Sequence, residues 1–100
     1  METIPVALER SEGVGYVIPL GAVNLVTVVA ARGMVGCGAF DVAALDAFGY
    51  PAARVRPSRG TSIATVDDLL DGTIREANAA AGKLGVREGM SGKEALDLLS

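Results

Sequence analysis

Cys37 is the only cysteine of the chain, and it stands between Gly36 and Gly38 where an apolar run gives way to a helix start at Asp41. A thiol beside a helix N-terminus meets positive partial charge and free N–H groups, which favour the thiolate and suit a nucleophile or redox sensor. Two facts oppose that chemistry. Asp41 brings negative charge to the same helix start, and the chain has no histidine, so a Cys–His pair cannot be built. Free cysteine is also among the most buried residue types, which makes inert packing the simpler reading.

The second concentration of chemistry is basic. No acidic residue lies between Asp46 and Asp67, whereas Arg54, Arg56 and Arg59 all do. In a strand Arg54 and Arg56 share a face. They lead into residues 57–62 (Pro-Ser-Arg-Gly-Thr-Ser), where Ser58 and Thr61 add hydroxyl donors. Guanidinium groups grip carboxylates and phosphates through paired, charge-assisted hydrogen bonds. A strand, the helix opened by Asp41 and a following strand imply a parallel crossover, whose strand ends share one edge of the sheet. Ligands favour that edge in open parallel sheets. Cys37 and Gly38 would there adjoin Arg56, Ser58, Arg59 and Thr61 around a small carboxylate or phosphate. The competing reading leaves the arginines in solvent or pairs them across a subunit interface.

Other motif-like strings carry less. Residues 36–41 (Gly-Cys-Gly-Ala-Phe-Asp) nearly match the dinucleotide fingerprint, but Asp41 stands where glycine or alanine belongs and would repel a pyrophosphate. Asp67, Asp68 and Asp71 spell the magnesium motif of prenyl-transferring enzymes, without a second acidic cluster; acidic residues in a helix's first turn explain them better. A general base near neutral pH would have to be a perturbed carboxylate, Cys37, Lys83 or Lys93, and both lysines lie near helix ends in polar surroundings.

The elements that must position these groups follow from pattern and punctuation. Residues 4–10 and 14–18 read as strands around Ser11-Glu12-Gly13, and 25–30 as a central strand. Ala31-Arg32-Gly33 reads as a turn into a returning strand at 34–38. Asp41 caps a short helix with Val42, Leu45 and Phe48 on its apolar face, ended by Gly49 and Pro51. Residues 52–56 form the next strand. The C-terminal third reads as three helices, each opened by a hydroxyl three residues before a carboxylate: Thr65 and Asp68, Thr73 and Glu76, Ser91 and Glu94. The expected fold is α+β: a mixed, mainly antiparallel sheet of about five strands with one β-α-β crossover, followed by C-terminal helices. Residues 1–100 form a single domain, with no internal repeat.

Composition narrows the function classes. Net charge is −3 and the isoelectric point about 4.8, which argues against nonspecific nucleic-acid binding. One cysteine and no histidine exclude a disulfide framework and the ordinary zinc sites. Residues 13–31 carry no charge, but Pro19, Gly21 and Asn24 break them into strands rather than a membrane span. The acidic N-terminal stretch does not resemble a signal peptide. Half the residues are hydrophobic and 21% charged, so apolar surface is expected to be covered in a homo-oligomer.

Three blocks together resemble the YunC-like family of small uncharacterised domains: Gly33-Met-Val-Gly-Cys-Gly-Ala-Phe-Asp-Val42, Thr65-Val-Asp-Asp-Leu-Leu70 and Leu84-Gly-Val-Arg-Glu-Gly-Met-Ser-Gly-Lys-Glu-Ala-Leu96. The likeness runs from about Leu20 to the end. It implies a compact bacterial or archaeal α+β domain with no assigned activity, and supplies no catalytic roles. The expected molecule is a cytoplasmic, self-associating, non-catalytic domain without cofactor, metal, nucleic-acid or membrane partner. One alternative is a small-anion-binding module built from the turn at 37–41 and the loop at 56–62. The other is a thiol-dependent enzyme or sensor using Cys37.

Overall fold

Residues 12–19 place Gly13, Gly15 and Val17 inward and Val14 and Ile18 outward, the period of two expected of a strand with one covered face. The structure, a computed structural model, describes residues 1–58, 60 and 62–100. β1 (Glu2–Ala7), β2 (Glu12–Pro19), β3 (Asn24–Val29) and β4 (Met34–Gly36) form an antiparallel meander. Pro5 lies in β1, an outermost strand, where a missing N–H is tolerated. α1 (Val42–Asp46) carries the chain to β5 (Ala52–Arg56), which runs parallel to β4. β6 (Thr73–Ala77) lies antiparallel to β5, so the six strands are ordered in space as in sequence.

One face of this sheet is packed by α2 (Val66–Asp71), α3 (Ala79–Lys83) and α4 (Gly92–Leu99). Val26, Val28, Val35, Val55 and Ile74 from the strands meet Leu69, Leu96 and Leu99 from the helices in one core. α2 and α4 approach so closely that a Cβ on Gly92 would overlap the Leu69 carbonyl oxygen. On the opposite face α1 covers only Met34 and Ala52, through Val42. Asn78 ties the crossover to both layers. Its Oδ1 accepts from the N–H groups of Ala52 (3.1 Å) and Ala81 (2.9 Å), and its Nδ2 donates to the carbonyls of Val42 (3.0 Å) and Tyr50 (2.9 Å).

The α+β class, the mainly antiparallel sheet and the β-α-β crossover agree with the sequence reading. The Thr65 and Ser91 capping boxes also form, each with both reciprocal hydrogen bonds. The Thr73 box does not: residues 73–77 are the sixth strand, and the helix after it begins only at its cap Asn78. The open edge of β5 offers a ladder partner, and Ile74 becomes fully buried opposite Val55. That tertiary gain outweighs a local capping preference of about 1 kcal/mol. Phe48 is the other departure. α1 ends at Asp46, so Phe48 falls past the helix and stays 83% exposed instead of joining Val42.

Candidate functional site

Because β4 and β5 are parallel, their carboxyl ends at Gly36 and Arg56 open on one rim of the sheet. The β2–β3 turn and the start of β6 reach the same rim, since each belongs to an antiparallel neighbour. These segments enclose a groove of about 800 Å³. Leu20, Gly21, Ala22 and Val23 form one wall, with Asn24 and Leu25 below them. Cys37, Gly38 and Ala39 follow from the turn after β4, then Arg54, Val55, Arg56 and Pro57 from β5. Ser62, Ile63, Ala64 and the β6 residue Arg75 complete the lining, which among the described residues holds three arginines and no carboxylate.

An irregularity in the sheet brings Glu76, as well as Arg75, to the side of the β5 arginines. Val55 pairs with Ile74 and Arg54 with Glu76, so Arg75 is an extra residue on β6. Such a bulge breaks strict alternation and re-aims a side chain. Ile74 stays in the core, while Arg75 lines the groove and Glu76 reaches Arg54. Arg54 Nε donates to Glu76 Oε1 at 2.8 Å, and its Nη1 donates to the Gly38 carbonyl at 3.1 Å. This partly exposed pair adds at most about 1 kcal/mol to stability. Its larger effect is to neutralise Arg54 and fasten it to the 37–40 turn. Among the described residues, Arg56 and Arg75 have no acidic partner; Glu88 shares a smaller adjoining recess with them but forms no ion pair.

Cys37 is 7% exposed and belongs to the main core while touching the groove floor. Its N–H donates to Val26 O (2.9 Å) and its carbonyl accepts from Phe40 N–H (3.2 Å), closing a tight turn. Gly36 is required just before it, because a Cβ there would run into the Phe40 ring. The free N–H groups expected at the helix start are not all available: Asp41 Oδ1 accepts from Ala44 N–H at 3.0 Å, and α1 has only five residues. Asp68 is likewise engaged as a cap, its Oδ2 accepting from the N–H groups of Ala64 and Thr65.

Of the residues singled out from sequence, Cys37, Gly38 and Arg56 share the groove. Ser58 does not line it; it borders a small recess with Asp68 and Asp71, and Ser62 takes the groove position instead. Arg59 and Thr61 lie outside the described residues. Sequence reasoning missed Arg75, Leu20 and Val23. The alternation Thr73-Ile74-Arg75 after Gly72 was the available signal for Arg75, and two aliphatic residues inside a turn were the signal for the hairpin. Asn24 fastens that hairpin down, its Nδ2 donating to Ala64 O at 3.0 Å.

Residues 36–99 match the model of DUF1805, a domain of unknown function. The chain is 33% identical over 92 residues to the uncharacterised protein YunC of Bacillus subtilis, covering 92% of this chain and 90% of that protein. Its backbone is similar to the crystal structure of a protein of unknown function, TA1206, from Thermoplasma acidophilum. The TM-score is 0.86 at 22% identity, over 99% of this chain and 92% of that one, a likeness of fold.

Proposed function

We propose that this chain, which belongs to the DUF1805 family of domains of unknown function, is a non-catalytic module that binds a small anion in the arginine-lined groove. The observation that carries the reading is the imbalance of charge: among the described residues three guanidinium groups line the groove, one is neutralised by Glu76, and no carboxylate joins the lining. Against a net charge of −3 for the chain, this is a local reversal of sign. Arg56 and Arg75 supply the charge, and the Asn24 amide, Ser62 and the Gly38 backbone edge are close enough to shape the site. A non-catalytic role fits a buried thiol and a chain with no histidine. We place the protein in the cytoplasm, where a lone thiol stays reduced.

Thermal unfolding in the presence of phosphate, sulfate and short carboxylates tests the reading, with chloride at matched ionic strength as control. A ligand at ten times its Kd stabilises by about 1.4 kcal/mol, which moves the Tm of a domain this size by roughly 5–10 °C. Arg56→Gln with Arg75→Gln is expected to abolish the shift. No anion-specific shift at tens of millimolar (on the order of ten times a weak, millimolar Kd) would refute the proposal.

A second reading rests on a separate observation. The outer face of β1–β3 presents Pro5, Val14, Tyr16, Ile18, Thr27 and Val29 with no helix over them, since α1 packs on Met34 and Ala52. Those residues carry no charge, and Glu12 at the start of β2 is the charged residue on the same face of that strand; a second copy related by two-fold symmetry can cover the apolar part. Self-association through this face is tested by light scattering. Ile18→Lys should convert a dimer to a monomer, and a wild-type protein that is monomeric at every attainable concentration rules the face out.

A further inference from the structure

The anion-binding groove has two chemically different walls, and the second limits what the anion can be. Facing the guanidinium groups is the β2–β3 turn, where Leu20 is 57% and Val23 58% exposed. Aliphatic side chains at the tip of a turn ordinarily gain nothing by standing in water. The hydrogen bond from Leu20 N–H to Val23 O (2.8 Å) and the Asn24–Ala64 bond hold the tip in place over the groove. A tetrahedral oxyanion, on the order of two or three waters at ~30 Å³ each, fills a small part of 800 Å³. Sites of several hundred Å³ accommodate organic ligands, mostly apolar with a few placed polar contacts.

We infer that the ligand is an amphipathic organic acid: a carboxylate or phosphate monoester head held by Arg56 and Arg75, with an aliphatic or aromatic body lying against Leu20 and Val23. This rests on the anion-binding reading and goes beyond it by requiring an apolar body. Glu76 holds Arg54 aside, so the head meets two free guanidiniums, which matches the two charge-assisted pairs that one carboxylate or phosphate accepts. Burial of the body supplies affinity that the exposed head alone lacks.

Calorimetric titration with acetate, butyrate, hexanoate and octanoate, all below their micelle-forming concentrations, tests the inference, with octanol and octylamine as controls. Kd is expected to fall by up to about fourfold for each buried CH2 and to level off once the groove is full. Leu20→Ser with Val23→Ser, at exposed positions that the fold does not need, should flatten that dependence. If acetate or phosphate binds but chain length adds nothing, the amphipathic ligand is overturned and the small-anion reading stands. If octanol binds as tightly as octanoate, or if nothing binds, both fall. A protein that sediments with phosphatidylserine vesicles while ignoring soluble octanoate would also overturn the inference, because the turn and arginines would then form a membrane-facing surface.

Discussion

Replacing Asn78 with alanine removes a side chain that is 7% exposed and breaks all four of its hydrogen bonds at once. The N–H groups of Ala52 and Ala81 belong to fully buried residues, and the Val42 carbonyl to one that is 1% exposed. The two N–H groups, left without a partner, each carry a desolvation penalty of about 1–3 kcal/mol, whereas the Val42 carbonyl, at the start of α1, keeps the N–H of Asp46 in its own helix. The Tyr50 carbonyl belongs to a half-buried residue and can turn to water. Partial relaxation trims the total, so the expected loss is about 3–5 kcal/mol, out of a stability of roughly 5–15 kcal/mol for a domain of this size. Urea unfolding followed by far-ultraviolet circular dichroism should show the midpoint falling with an unchanged slope. Asn78→Asp keeps both acceptor contacts but sets a carboxylate against two carbonyls, so it should also destabilise, less so as pH falls and the group protonates. A loss below about 1 kcal/mol for the alanine variant would mean that Asn78 does not hold α1, β5 and α3 together.

Three further outcomes are expected. Thr73→Val should be neutral within about 0.5 kcal/mol, because a strand accepts valine, whereas loss of a helix cap would cost about 1 kcal/mol; Ile74→Ala, from a fully buried position, should cost about 2–5 kcal/mol. Desolvation by burial raises the Tyr50 phenol above its ordinary value of 10.0. The native state therefore keeps this proton when the unfolded chain has lost it, so stability is complete below pH 10 and declines as pH rises through the native value. In a Tyr16→Phe background, ultraviolet titration should show the single phenol ionising late, and Tyr50→Phe should flatten the alkaline decline; ionisation at or below 10 contradicts the burial argument. Alkylation of Cys37 should be slow in the native protein and fast in urea, and rapid native reaction at neutral pH would revive a functional thiol.

How much of this was legible beforehand depends on whether the deciding interaction was local. The Thr65 and Ser91 caps, the stop at Gly49 (φ 68°) and the turn before Met34 are settled within a few residues, and sequence spacing reveals them. The crossover was legible because an apolar strand, a capped helix and another strand leave few arrangements. Residues 73–77 were not, since the same letters suit a capping box and a strand, and only the free edge of β5 decides between them. The groove divides the same way. Cys37, Gly38 and Arg56 follow from strand ends on one rim and Arg75 from its alternation with the buried Ile74, but Glu76 beside Arg54 needed a bulge, a property of pairing that a single strand's sequence does not display. Leu20 and Val23 were visible as aliphatic turn residues, and their role depends on what the rim places opposite them.

The central claim is that an anion sits between Arg56 and Arg75 at the carboxyl end of the parallel strand pair. Titrating isotopically labelled protein with butyrate while following backbone amide and arginine Nε–H resonances tests it most directly. Saturable shifts centred on Asn24, Gly38, Arg56 and Arg75 are expected, with the guanidinium signals of Arg56 and Arg75 moving most. Saturable shifts clustered instead on the outer face of β1–β3 or around Asp68 and Asp71, with those guanidinium signals unmoved, would contradict it.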